Sequence, residues 1–351
     1  MSIDLHHHGD RDVAPGLVDL AVNVRLPAPP PWLADVIAGS LRDLGRYPDP
    51  APAVEAIAAR HRVDPQCVLP TAGGAEAFTL VARGVRSRRP VVVHPQFTEP
   101  EAALAAAGHT VERCVLSRDT GFRLDVRDFA PGGEHADADL VVVGNPTNPT
   151  GVLHRAEDLR SLRAPGRVVV VDEAFMDAVP GEPQSVIGRD LDGLVVVRSL
   201  TKTWGLAGLR AGYVVGDPVV VAALRAVQPP WSVSSPAVAA TVACLSERAV
   251  AEAEASAVTI AADRDVLVGE LAGVGLVTAA PSDAPFVLVD TSPLGDGSVR
   301  EDLAHLGFAV RRGETFPGLG PTWIRLAVRD PGTSHAVAAA LADLRRLRRV
   351  A

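Results

Sequence analysis

Lys202 is the single lysine of a 351-residue chain whose other basic residues are all arginine, 34 Lys and Arg in all. A guanidinium replaces an ammonium as a surface charge, but it stays protonated and cannot act as an amine nucleophile toward a carbonyl. Three further groups stand where short apolar runs end. Leu140 to Val143 leads into Asn145-Pro146-Thr147-Asn148, Val168 to Val171 ends at Asp172, and Leu194 to Val197 leads into Ser199 and Lys202. A glycine turn, Thr71-Ala72-Gly73-Gly74-Ala75-Glu76, opens a helix-like segment, and Arg210 lies eight residues beyond the lysine.

Each of these residues also has a plain structural reading: Asn148 shapes a turn, Asp172 or Ser199 caps a helix. Taken together they describe a site for pyridoxal phosphate. An amine condenses with the aldehyde, a carboxylate keeps the pyridine nitrogen protonated so that the ring accepts electrons, and hydroxyl and backbone donors at a helix amino terminus hold the phosphate.

The elements that must position these groups follow from the pattern of apolar residues. Unbroken Val-rich runs at Val91 to Val93, Leu140 to Val143, Val168 to Val171 and Leu194 to Val197 fit strands buried on both faces of a parallel sheet. Helix-like segments such as Glu101 to Ala107 and Arg155 to Leu162 supply crossovers. The expectation is an α/β fold: a large domain with a mainly parallel sheet flanked by helices, plus a smaller α+β C-terminal domain. Its divisions are an N-terminal arm and first helix (1–45), the large cofactor-binding domain (46–235), and a linker helix with the small domain (236–351). The linker helix is read as one Ala/Val/Glu-rich stretch from Pro236 to about Leu271, followed by strand-like Phe286 to Asp290, Phe308 to Arg311 and Trp323 to Val328. In such sheets ligands sit beyond the carboxyl ends of the strands, where the polar groups fall.

Composition excludes other classes. With 42 acidic residues against 34 basic and a formal charge of −8, the chain has the wrong sign for a nucleic-acid binder. Three scattered cysteines, Cys67, Cys114 and Cys244, form no CxxC pair, so no disulfide framework or zinc site is expected. No apolar run is long enough to span a bilayer, and the start carries no signal-like segment, which points to a cytoplasmic protein. The His6 to His8 run reads as part of the arm rather than a metal site. Gly205 to Gly212 lacks the dinucleotide-binding spacing, against a dehydrogenase, and no DNA-binding unit precedes residue 45, against a ligand-sensing regulator.

The sequence resembles the fold-type I pyridoxal phosphate enzymes of the class I/II aminotransferase superfamily. The resemblance rests on Asn-Pro-Thr-Asn-Pro-Thr-Gly at 145–151, Val-Asp-Glu-Ala-Phe at 171–175 and Ser-Leu-Thr-Lys-Thr-Trp-Gly-Leu-Ala-Gly-Leu-Arg at 199–210, in that order. It implies that Lys202 is the catalytic lysine bound to the cofactor, that Asp172 pairs with the ring nitrogen, and that Asn148 donates to the phenolic oxygen. Ser199, Arg210 and the Gly73, Gly74, Ala75 turn would hold the phosphate. Phe97 would stack on the ring, and Tyr47 would reach the phosphate of a neighbouring subunit in a homodimer. Phe175 stands where many relatives carry a tyrosine, as in the threonine-phosphate decarboxylase and histidinol-phosphate aminotransferase branch.

That branch handles phosphorylated amino acids or amines; Arg325 matches the arginine that grips the substrate carboxylate or its equivalent, and Arg311 matches the second substrate arginine, expected on the phosphate ester, both suited to anions by their donor fork. His8, Gly9 and Asn23 resemble pocket elements of the cobalamin-pathway threonine-phosphate decarboxylases, with Arg25 where those have asparagine. The leading expectation is decarboxylation of L-threonine O-3-phosphate. The alternative is amino transfer from histidinol phosphate to 2-oxoglutarate.

Overall fold

The computed structural model describes residues 4–350. Its strands are β1 (Val18–Leu20), β2 (Val68–Thr71), β3 (Pro90–His94), β4 (Glu112–Val115), β5 (Leu140–Gly144), β6 (Val168–Asp172), β7 (Leu194–Ser199), β8 (Gly212–Gly216), β9 (Val277–Thr278), β10 (Phe286–Asp290), β11 (Phe308–Arg312) and β12 (Trp323–Ala327). Its α-helices are α1 (Pro31–Ser40), α2 (Ala51–His61), α3 (Gly73–Gly84), α4 (Glu99–Ala106), α5 (Ala156–Ser161), α6 (Pro218–Val227), α7 (Ser235–Cys244), α8 (Glu247–Gly273), α9 (Arg300–His305) and α10 (Pro331–Val350).

The Val-rich runs form a seven-stranded sheet in the order β2-β8-β7-β6-β5-β3-β4. Strands β3 to β7 pair in parallel, and β8 alone runs against both its neighbours. The runs are continuous because both faces are covered. Val142, Val170 and Val195 pack against Phe78 and Leu80 of α3, Leu104 of α4 and Leu224 of α6, while Val141, Val169 and Val196 pack on the other face against Leu159 and Phe129. Each fully buried valine or leucine contributes about 1.5–3 kcal/mol relative to exposure.

A five-stranded sheet, β1-β11-β12-β10-β9, forms the second layer system. Its core joins Val287, Val310, Ile324 and Leu326 to Leu267 and Leu271 of α8 and Leu341 of α10.

Three features differ from the sequence reading. The arm is not separate: β1 pairs in parallel with β11, so residues 18–20 complete the sheet of the C-terminal part. The Ala-rich stretch after Pro236 is two helices rather than one, because the Ser246 side chain accepts from Ala249 N–H and caps a new start for α8. Finally, β8 inserts between β2 and β7, a glycine-bounded strand whose pairing is decided by partners far away in sequence.

Candidate active site

The carboxyl ends of the parallel strands converge on a cavity of about 540 Å³, within the range of small-molecule sites. The register explains the convergence. Gly144, last in β5, lies opposite Asp172, last in β6, and Asp172 lies opposite Val197 of β7, two residues before Ser199. The turns after these strands therefore present Asn148, Asp172, Ser199 and Lys202 to one space, together with Thr201 and Phe97.

Burial dominates the protonation of the central pair. Asp172 is buried and its carboxyl rises to about 6, with the Ala174 N–H at 3.0 Å and the Lys202 charge acting in the opposite direction. Burial, then the charges of Arg325 and Arg210, brings the Lys202 ammonium down to about 8, with Asp172 opposing. An amine tuned to this range holds a useful fraction of neutral base near physiological pH.

Behind the pair, Arg198 is buried against Glu173 at 2.9 Å, Asp177 at 2.7 Å and Glu182 at 2.5 Å. Glu173 also accepts from Val186 N–H at 2.7 Å. This network locks the two residues adjacent to Asp172 and Ser199 in the chain.

One end of the cavity is built for an anion. The twelve-residue α3 starts there with no side-chain cap from Ala72, leaving first-turn amides without intrahelical acceptors. Gly73 has φ of +77°, and a Cβ on it would lie 2.6 Å from Arg210 Nη2, so the glycine is what lets the guanidinium approach the turn. Arg210 itself sits at φ +61°, a left-handed conformation that aims its side chain back over the helix start. Ser199 Oγ lies 2.8 Å from Thr201 Oγ1, completing a ring of donors.

The other end carries the two expected arginines. Arg325, on β12, donates from Nη1 to Asn148 Oδ1 at 2.6 Å and from Nη2 to the Ala21 carbonyl, while its Nε has no partner among the described residues. Burial and the nearby Arg311 pull its guanidinium well below the ordinary range, as expected of a cation without a carboxylate partner. Arg311, on β11, is partly neutralised: it donates to Asp12 Oδ2 at 3.3 Å and to the His7 carbonyl at 2.7 Å. Both arginines thus clasp the N-terminal arm along the cavity wall.

Of the residues expected from sequence, His8, Gly9, Asn23, Gly74, Ala75, Phe97, Asn148, Asp172, Ser199, Lys202, Arg210, Arg311 and Arg325 line this one cavity, and Gly73 stands under Arg210. Two do not. Arg25 turns away from the cavity to Ser256 Oγ at 2.6 Å and Asp263 at 3.6 Å on α8, because the carboxylate and hydroxyl of one helix face satisfy its fork. Tyr47 is 74% exposed and stacks on Trp231, with ring centroids 4.2 Å apart, outside the cavity of its own chain. Asp10, Glu99, Thr201 and Phe316 also line the cavity, and sequence reasoning does not single them out. Thr201 lies inside the 199–210 motif; Asp10 and Glu99 carry no signal beyond their closeness to His8 and Phe97 in sequence. No cluster of histidine, cysteine and carboxylate side chains suited to a metal occurs among the described residues.

The donor set fits pyridoxal phosphate: one amine, a buried carboxylate deep in the cavity, an amide beside it, and an anion cradle at α3 that a Cβ at Gly73 would fill. The profile of the aminotransferase class I and II family matches residues 15–343, and the chain belongs to that family, whose cofactor is pyridoxal phosphate. Within it, the chain is 48% identical over 326 residues to a histidinol-phosphate aminotransferase of Mycobacterium tuberculosis, covering 92% of this chain and 86% of that one. It is 28% identical over 336 residues to the threonine-phosphate decarboxylase of Salmonella typhimurium, covering 93% and 91%. The aspartate aminotransferase of Thermus thermophilus superposes with a TM-score of 0.82 at 25% identity, covering 94% of this chain and 92% of that one.

Proposed function

We propose that this enzyme transfers the amino group of a phosphorylated amine, L-histidinol phosphate, to 2-oxoglutarate. The 48% identity to a histidinol-phosphate aminotransferase carries this reading. It reverses the order expected from sequence, where decarboxylation of threonine phosphate came first; the decarboxylase relative is only 28% identical.

Bound pyridoxal phosphate supplies an aldehyde for the amine and a ring that withdraws the electrons left at the substrate's Cα. The chain does the rest. Asp172, buried and lining the cavity, would pair with the ring nitrogen. The amides of Gly73, Gly74 and Ala75, with Ser199, Thr201 and Arg210, would hold the cofactor's phosphate, and Phe97 would stack on the ring.

Lys202 Nζ would bind the cofactor and, with its ammonium brought down to about 8, would serve as the base for the Cα proton. Arg311, the arginine expected on the phosphate ester, is already paired with Asp12. Arg325, which no carboxylate neutralises among the described residues, would therefore take the substrate phosphate first, with Arg311 assisting as the phosphate displaces Asp12. Amino transfer requires the Cα–H bond to face Lys202, and anchoring the substrate's anion at the arginine end of the cavity would serve that orientation.

A homodimer is part of the proposal. Tyr47, exposed and outside its own cavity, would reach the cofactor phosphate of the partner. Among the described residues no helix is long and apolar enough to cross a membrane.

The test supplies the cofactor-loaded enzyme with L-histidinol phosphate and 2-oxoglutarate and measures glutamate, and in parallel supplies L-threonine O-3-phosphate alone and measures carbon dioxide. Glutamate over many turnovers supports the reading. Carbon dioxide without glutamate overturns it in favour of the decarboxylase.

A further inference from the structure

Carboxylates are out of place in a cavity shaped for a phosphate ester, because like charges at short range oppose binding. Yet Glu99, at the start of α4, lines the cavity with an Oε2 only 3.5 Å from His8 Nε2 and no arginine partner among the described residues. The hydrogen bond from His8 holds the Glu99 carboxyl below its usual range, so it is anionic at neutral pH.

A second, independent feature stands in the same cavity. Asn23 is 8% exposed, and neither its Oδ1 nor its Nδ2 has a partner among the described residues. A buried amide with both polar atoms unmatched costs free energy unless a ligand completes it. Both features line the same cavity, and the segments carrying His8 and Asn23 run against each other, since a Cβ on Gly9 would lie 2.5 Å from the carbonyl of Ala21.

We propose that Glu99, with His8 and Asn23, reads the substrate's side chain by accepting an N–H from an aromatic nitrogen heterocycle, an imidazole, while the arginines take the phosphate. This rests on the amino-transfer reading. An imidazole N–H meets a carboxylate as donor to acceptor, its second nitrogen accepts from the Asn23 amide, and its face suits the His8 ring, which already lies 5.6 Å from Phe97. Glu99 is then a specificity-determining residue: it favours an imidazole over a ring of similar size without N–H, because that ring would leave the carboxylate and the amide desolvated and unmatched.

The holoenzyme, Glu99→Gln and Asn23→Ser are compared on L-histidinol phosphate and L-phenylalaninol phosphate, each with 2-oxoglutarate, after the visible absorbance of each variant shows full cofactor loading. The wild type should favour the imidazole substrate in kcat/KM by roughly tenfold or more, and Glu99→Gln should erase most of that preference through KM. Asn23→Ser should lower it in the same direction. A wild type that transfers from both substrates equally well, or variants that keep the full preference, overturns the assignment while leaving amino transfer standing. A wild type that transfers from neither overturns both.

Discussion

Arg325 and Asn148, 177 residues apart in sequence, are joined by a 2.6 Å hydrogen bond from guanidinium Nη1 to amide Oδ1. The bond ties β12 of the smaller sheet to the loop after β5 of the larger one, so the arginine proposed to grip the substrate's anion also orients the amide proposed to face the cofactor. Arg325→Lys keeps the charge and loses the fork. Loss of a charge-assisted pair costs about 1.5–3 kcal/mol, so kcat/KM for the phosphorylated substrate should fall roughly 10- to 150-fold. Steady-state kinetics should place the loss mainly in KM; an unchanged KM would remove Arg325 from anion binding.

Asp172 illustrates a cost in stability that serves the site. Burial raises its carboxyl from 3.8 to about 6 in the protein without cofactor. Below about pH 4 both folded and unfolded chains carry the proton, and the group does not oppose folding. As pH rises from about 4 through 6 that advantage is lost, and above about 6 the folded protein holds an ionised, buried carboxylate at a cost of about 3 kcal/mol. Asp172→Asn should therefore raise the apoprotein's thermal midpoint at about pH 7.5 and change it little at about pH 4. The same variant should bind pyridoxal phosphate more weakly if Asp172 is the counter-ion proposed for the ring nitrogen. Equal stabilisation at both pH values would contradict the burial argument.

Arg198 is the converse case, a buried cation surrounded by Glu173, Asp177 and Glu182. Arg198→Met leaves three carboxylates without their common partner, and breaking a buried pair from one side costs about 3–5 kcal/mol. Urea unfolding should show a midpoint lowered accordingly. A loss under about 1 kcal/mol would mean that water, not Arg198, balances the cluster.

At Gly73 the backbone is left-handed, with φ of +77°, and Arg210 occupies the space a side chain would fill. Gly73→Ala imposes backbone strain of about 1–3 kcal/mol and pushes the guanidinium off the helix start. Titration of the apoprotein with pyridoxal phosphate should show affinity lowered about tenfold or more, while turnover of fully loaded enzyme changes less. Unaltered affinity would separate this turn from the cofactor's phosphate.

Much of the site is legible in the sequence because its residues are local to strand ends. The runs ending at Val143, Val171 and Val197 announce buried parallel strands, and a parallel sheet places the residues after each run on one rim. The turn at Gly73 and the lone Lys202 fall into place for the same reason. Arg25 escapes such logic, and the surroundings of Tyr47, expected to serve a neighbouring subunit rather than its own cavity, are not written locally either. Each lies on a surface segment whose direction depends on what packs beside it, Ser256 and Asp263 for one and Trp231 for the other. Glu99 is silent in the sequence because an acidic residue at a helix start is an ordinary sight until the arm folds His8 against it.

The sequence by itself determined the α/β class, the order of the motifs and the chemistry they hold, because buried strands and strand-end turns are written in short stretches of chain. Only the tertiary structure decided that β1 closes the distant sheet of β11, that Arg325 meets Asn148, and that Asn23 faces the cavity without a partner among the described residues. Those choices join segments far apart in the chain. They are settled by packing and by the matching of buried polar groups, quantities that no local run of residues contains.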